Sequence, residues 1–168
     1  MTDLPRRMFL FSAAAALLGA EVSLANTDSP PAGRRIALSG YDPVAYFTDA
    51  KPTLGRSDTE YLWQGARWRF ASPEHRALFV ADPERYAPQY DGYCAMGAAW
   101  EKDAHKDVPD PNSWAIVEGK LYLTHSPKAF ARWRENIKEN ISRADRNWTE
   151  LKNSTAVYNG FPNRKSGE

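Results

Sequence analysis

Apolar residues recur at spacings of three and four from Phe130 through Trp133, Ile137, Ile141 and Ala144 to Trp148, while Arg132, Arg134, Lys138 and Arg143 fall elsewhere. This period predicts one long C-terminal helix with a packed stripe and a wet opposite face. Two other stretches alternate with a period of two. In 114–125, a turn at Glu118-Gly119 pairs Ile116 with Leu121 and Trp114 with Leu123, which predicts a half-buried hairpin. In 61–70, a turn at Gln64-Gly65 puts Tyr61, Trp63, Trp68 and Phe70 on one side. Four helix starts are marked by Asp42-Pro43, Ser72-Pro73, Asp82-Pro83 and Ser126-Pro127, because a short oxygen-bearing cap suits a helix whose first position is Pro. Together these elements predict an α+β domain: a small antiparallel sheet of two hairpins, short helices and a long C-terminal helix packed on it. No internal repeat or low-complexity tract is visible.

The ends of the chain read differently. Arg6 and Arg7 precede an apolar run from Met8 to Ala20 that is too short to span a bilayer, and Ser23 and Ala25 fit a cleavage site. Residues 1–25 are therefore expected to be an export signal of the twin-arginine kind, cut after Ala25, with the mature protein in the periplasm. Pro5 and Phe11 depart from that pattern, so the general secretory route stays open. Membrane contact is then expected only during export. Residues 26–35, with Pro30, Pro31 and Gly33, have the composition of a linker; 36–152 form the domain; 153–168, with Gly160, Pro162 and Gly167, form a flexible tail.

Composition narrows the function classes. With 168 residues, a net charge of +1 and 26% charged residues, the chain has neither the basic footprint of a nucleic-acid binder nor the composition of a disordered protein. Its one Cys excludes an intramolecular disulfide and a four-thiolate zinc site. No Gly-x-Ser-x-Gly elbow, phosphate loop or His-Glu-x-x-His helix is present, so no enzyme class is indicated.

Several strings together resemble the exported branch of the YHS domain family: 39–47 (Ser39 to Phe47), the hairpin end at 68–72, 79–90, 91–95 and 114–123. The resemblance runs from about residue 36 to 148. It implies a small α+β module and, from the wider family, a role in binding heavy metals such as copper. Metal-associated members carry a Phe-Cys-Ser segment and a second Cys four residues on. Those positions read Ala71 and His75 here, and the Cys expected near the domain start is also absent.

A metal role therefore rests on Cys94. Thiolate and thioether are a soft pair suited to Cu(I), which brings in Met96, and imidazole completes such sites. His105 lies eleven residues further on in a polar loop, and His75 stands in a family thiolate position. The candidate ligand set is Cys94, Met96, His105 and His75, with copper as the candidate ion. His125, on the face of Leu121 and Leu123, reads as a structural histidine, and Asp103, Asp107 and Asp110 read as a solvated acidic loop. Three alternatives stay open. Cys94 is a buried, inert thiol; or the dense aromatics, Trp63 and Trp68 among them, form a surface for an organic ligand or a periplasmic partner protein; or Cys94 is a redox thiol.

Overall fold

The computed structural model describes residues 35–154 and 157–158. The expected export signal and most of the linker lie outside the described residues, as does the chain after 158. The elements in order are β1 (Arg35–Ile36), α1 (Ala45–Thr48), β2 (Arg56–Trp63), β3 (Ala66–Phe70), α2 (Pro73–Ala81), α3 (Pro83–Tyr86), α4 (Ala95–Ala98), β4 (Lys106–Asp107), β5 (Asp110–Val117), β6 (Lys120–Thr124), α5 (Pro127–Glu135), α6 (Ile137–Leu151) and β7 (Val157–Tyr158). The architecture is α+β, as the pattern predicts. Both hairpins form at the expected turns, and Trp114 faces Leu123 and Ile116 faces Leu121. They do not share a sheet, however: β1, β3 and β2 make one, β5 and β6 a second, and β4 with β7 a third.

Three further differences from the sequence pattern have physical causes. The C-terminal helix is two helices, because Asn136 adopts φ −141° and ψ 62° and breaks the hydrogen-bond ladder between α5 and α6. The β5–β6 hairpin is not half-buried. Leu121 and Leu123 pack with Leu38 and Tyr46 on one face, while Tyr122 packs with Trp133 and Ala144 on the other. Only Ile116 of the expected four apolar groups stays exposed, at 37%. Finally, Val157–Tyr158 falls in the expected tail but pairs in parallel with Lys106–Asp107.

A larger finding is a structural repeat. At 38–42 the chain takes two successive left-handed residues, Leu38 and Ser39, then Gly40 at φ 87°, then extended Tyr41 and buried Asp42. At 90–94 it does the same: Tyr90, Asp91, Gly92 at φ 80°, Tyr93 and buried Cys94. In each half there follow a four-residue helix, an eight-residue strand, a two-residue turn, a five-residue strand, and a nine-residue helix capped by a Ser that accepts from the third N–H. Even the break after that helix recurs, with Asp82 at φ −151°, ψ 76° matching Asn136. The halves then part: α3 has four residues and α6 fifteen. Few side chains coincide, which is why no repeat is legible in the sequence. What recurs is a set of backbone instructions: Gly-Tyr, the turn Gly, and Ser-Pro.

The core follows the repeat. Phe79 on α2 centres the first half against Trp68 and Phe70, and Trp133 on α5 centres the second against Tyr122. Between them, Leu38 of the first turn fits the space over Gly92, where an added Cβ would stand 2.8 Å from Leu38 Cδ1. Gly92 thus combines a positive φ with a close approach of the Leu38 side chain.

Left-handed non-glycine residues cost on the order of 1 kcal/mol each. The turn persists because it delivers a buried acceptor to waiting donors. Asp42 Oδ1 accepts from Val44 N at 2.8 Å and Oδ2 from Ala71 N at 2.8 Å, with the His75 imidazole at 2.7 Å. Removing that acceptor strands all three partners. The Asp42→Ala protein should therefore lose at least about 3 kcal/mol of unfolding free energy in urea, and a loss below about 1 kcal/mol would contradict this account of the turn.

A candidate metal centre at Cys94

Cys94 occupies in the second half the place of Asp42 in the first. Its sulfur accepts from Gly97 N at 3.2 Å, and the backbone N–H groups of His125 and Met96 are also turned toward it. The same relative N–H groups, two residues on and at the end of the second hairpin strand, hold the Asp42 carboxylate. A pocket of converging donors is built for an anion. The side chain is fully buried, at 0% exposure. Burial is the largest influence on the thiol and pushes it from 9.0 up to about 11, against the pull of those N–H groups and with Asp107 adding to the rise.

Two more side chains converge on the sulfur. His125 Nδ1 lies 3.5 Å from Cys94 Sγ, and the same nitrogen lies 3.4 Å from Asp107 Oδ2. All three donor atoms fall within 4.8 Å of one another. Cys94 and His125 are brought together by a parallel bridge between Cys94 and Leu123, which sets the end of β6 beside the turn. Asp107 arrives on β4. That two-residue strand is fixed by Cys94 N donating to Asp107 O at 3.1 Å, and by Lys106, whose ammonium reaches the Lys152 and Ser154 carbonyls at the end of α6. Alternation then sends Lys106 one way and Asp107 the other. Gly97 leaves room for this segment: a Cβ there would stand 3.0 Å from His105 O and 3.3 Å from Asp107 Oδ2.

The sequence-predicted residues separate accordingly. Cys94 is at the centre. His105 is adjacent but not in the convergent set; its Nε2 lies 3.1 Å from Asp107 Oδ2, the same oxygen that faces His125, so it helps fix the carboxylate. Met96 meets the sulfur through its backbone N–H, and the residue lines a different cavity with Trp100 and Arg132. His75 belongs to the other half. Both of its ring nitrogens have partners there, Asp42 Oδ2 at 2.7 Å and Thr48 Oγ1 at 3.2 Å, so it orients the Asp42 carboxylate rather than meeting Cys94. Two residues read as bland are at the site instead. His125 is no packed core group, since its side chain is 41% exposed, and Asp107 is buried at 3% rather than solvated. The His105-x-Asp107 spacing, which places two side chains on one face of an extended segment, was the available signal for Asp107.

The arrangement also excludes one kind of chemistry. In a nucleophilic relay the acid and the nucleophile bind opposite nitrogens of the histidine, so that a proton can pass through the ring. Here Cys94 and Asp107 both lie against Nδ1. The three groups converge on a point instead of forming a line. Comparison of the chain with protein-family models, with curated proteins and with solved structures gives no match in any of the three.

Burial and the raised pKa have a direct consequence. At pH 7.5 only about one thiol in a few thousand is ionised when its pKa is near 11, and the thiolate is the reactive form. Metal-free protein should resist iodoacetamide at pH 7.5 and become stoichiometrically labelled in denaturant. Rapid labelling of the folded protein would show an accessible thiolate and restore the redox reading.

Proposed function

We propose that this chain is an exported, non-enzymatic module that binds one transition-metal ion through Cys94, Asp107 and His125. The observation that carries the reading is the spacing of the donors. Around a tetrahedral ion with the usual zinc bond lengths, a sulfur and a nitrogen ligand stand about 3.6 Å apart and a nitrogen and an oxygen ligand about 3.3 Å apart. The site has 3.5 Å and 3.4 Å between its corresponding atoms. A hydrogen-bonded thiol and imidazole alone would account for the first distance; the third donor is Asp107 Oδ2, which also lies 3.1 Å from His105 Nε2, while the other oxygen of that carboxylate, Oδ1, is buried with no hydrogen-bond partner among the described residues.

The donor set shifts the expected ion. Thiolate with thioether favours Cu(I), whereas one thiolate, one imidazole and one carboxylate suit a divalent ion of intermediate softness such as Zn²⁺. Copper remains the ion implied by the YHS resemblance and is the natural competitor. A bound ion would displace the Cys94 proton to solvent, and the N–H groups around the sulfur would stabilise the thiolate. His125 binds through neutral Nδ1, its proton on Nε2. His105 holds Asp107 in orientation, the usual outer-shell role. Export to the periplasm, expected from Arg6, Arg7 and the apolar run after them, would bring such a module within reach of metal ions entering from outside.

The test is a chelator-competition titration of demetallated protein with Zn²⁺ and with copper in both oxidation states. One equivalent of Zn²⁺ should bind. Cys94→Ser, Asp107→Asn and His125→Gln should each weaken it by about a hundredfold or more, and His105→Gln by about tenfold. His75→Gln should leave affinity unchanged. Retained affinity in His125→Gln, or loss of the site in His75→Gln without unfolding, would overturn the assignment.

A further inference from the structure

Lys106 and Asp107 are neighbours on β4, and both are buried, at 5% and 3% exposure. They meet different parts of the molecule. Asp107 Oδ2 belongs to the donor cluster, 3.4 Å from His125 Nδ1. Lys106 Nζ donates to the Lys152 carbonyl at 3.2 Å and the Ser154 carbonyl at 2.6 Å, and it lies 5.3 Å and 5.4 Å from the ring centroids of Tyr93 and Trp148. Its charge is thus held by the end of α6 and by two aromatic rings. The backbone of the same two residues pairs in parallel with Val157 and Tyr158 of β7. One two-residue strand therefore carries both a donor of the centre and the anchorage of the C-terminal segment.

We propose that β4 couples the two: a divalent ion at Cys94, Asp107 and His125 and the seating of the C-terminal segment on β4 strengthen one another, an inference that rests on the metal assignment above. The physical basis is the cost of seating Asp107. Its Oδ1 is buried with no hydrogen-bond partner among the described residues, and its Oδ2 lies in the cluster that contains the buried Cys94 thiol. An ion held by all three donors offsets that cost only while β4 is seated. It therefore binds the seated form better and shifts the local opening equilibrium toward it.

The C-terminal segment shares in that seating. Among the described residues β7 has β4 as its one strand partner, and Lys106 reaches the Lys152 and Ser154 carbonyls from a strand that Cys94 N fixes by donating to Asp107 O at 3.1 Å. Linkage makes the effect reciprocal, so a change that loosens this anchorage weakens the ion by the factor by which the ion tightens the anchorage. The charge of Lys106 supplies a control of sign. Coulomb interaction alone predicts that removing a cation from the residue next to a ligand tightens a divalent ion. Coupling through β4 predicts the opposite.

The experiment is amide hydrogen exchange of the full chain with and without one equivalent of Zn²⁺, read by mass spectrometry over β4, the end of α6 and β7, beside Zn²⁺ affinities from chelator competition. The ion should slow exchange in all three places by about tenfold or more in the parent chain and have no such effect in Cys94→Ser. Lys106→Met should weaken Zn²⁺ by about tenfold. Val157→Pro, at a position 36% exposed, disturbs the β7 pairing without touching a donor and should weaken Zn²⁺ by about threefold or more; it decides the matter where Lys106→Met does not fold. If Zn²⁺ binds the parent chain and the exchange of β7 and the end of α6 is unchanged, the coupling is overturned and the metal assignment stands. The same holds if folded Lys106→Met, or Val157→Pro, binds Zn²⁺ as tightly as the parent or more tightly. A parent chain that binds no Zn²⁺ overturns both.

Discussion

Each half of this molecule is organised around a fully buried acceptor at the head of a four-residue helix, presented by two left-handed residues and a glycine. The turn is unfavourable in isolation and is sustained by what it satisfies. In the first half the acceptor is the Asp42 carboxylate, which meets two backbone N–H groups and a histidine. In the second it is the Cys94 sulfur, which meets equivalent N–H groups and another histidine. The hairpin that follows, the Ser-capped helix and the aromatic at its centre pack around that point in both halves.

Replacing a carboxylate by a thiol at such a position has chemical consequences. Asp42 sits in a pocket of donors and has a local partner in His75, so the first half is a closed structural arrangement. Cys94 sits neutral in a pocket shaped for negative charge, beside Asp107, which disfavours a thiolate unless a cation joins them. The proposed metal ion would resolve that conflict: it would supply the positive charge, replace the sulfur proton and engage the carboxylate. The strongest feature of the second half is thus an incomplete charge balance.

Local structure was legible in the sequence to the extent that it depends on local rules. Ser72-Pro73 and Ser126-Pro127 begin helices, Gln64-Gly65 and Glu118-Gly119 turn hairpins, and Trp114 and Ile116 find their predicted partners. The helical stripe from Phe130 to Trp148 concealed a break at Asn136, because a one-residue change of direction hardly disturbs a periodic pattern. The site was half legible. Cys94 stands out as the single thiol, but its partners come from a strand end and a two-residue strand whose placement is set by Lys106 reaching α6, a contact between residues 46 positions apart. His75 looked attractive through its position in a family pattern, whereas the fold gives it to Asp42.

The account depends on the sulfur being a ligand beside one nitrogen and one oxygen donor. Cobalt(II) substitution followed by X-ray absorption at the cobalt edge and visible spectroscopy tests this directly. The proposal predicts cobalt with one sulfur and otherwise nitrogen or oxygen scatterers, and a thiolate-to-metal charge-transfer band that disappears in Cys94→Ser. Six nitrogen or oxygen scatterers without sulfur, or a spectrum unaltered by that substitution, would contradict it.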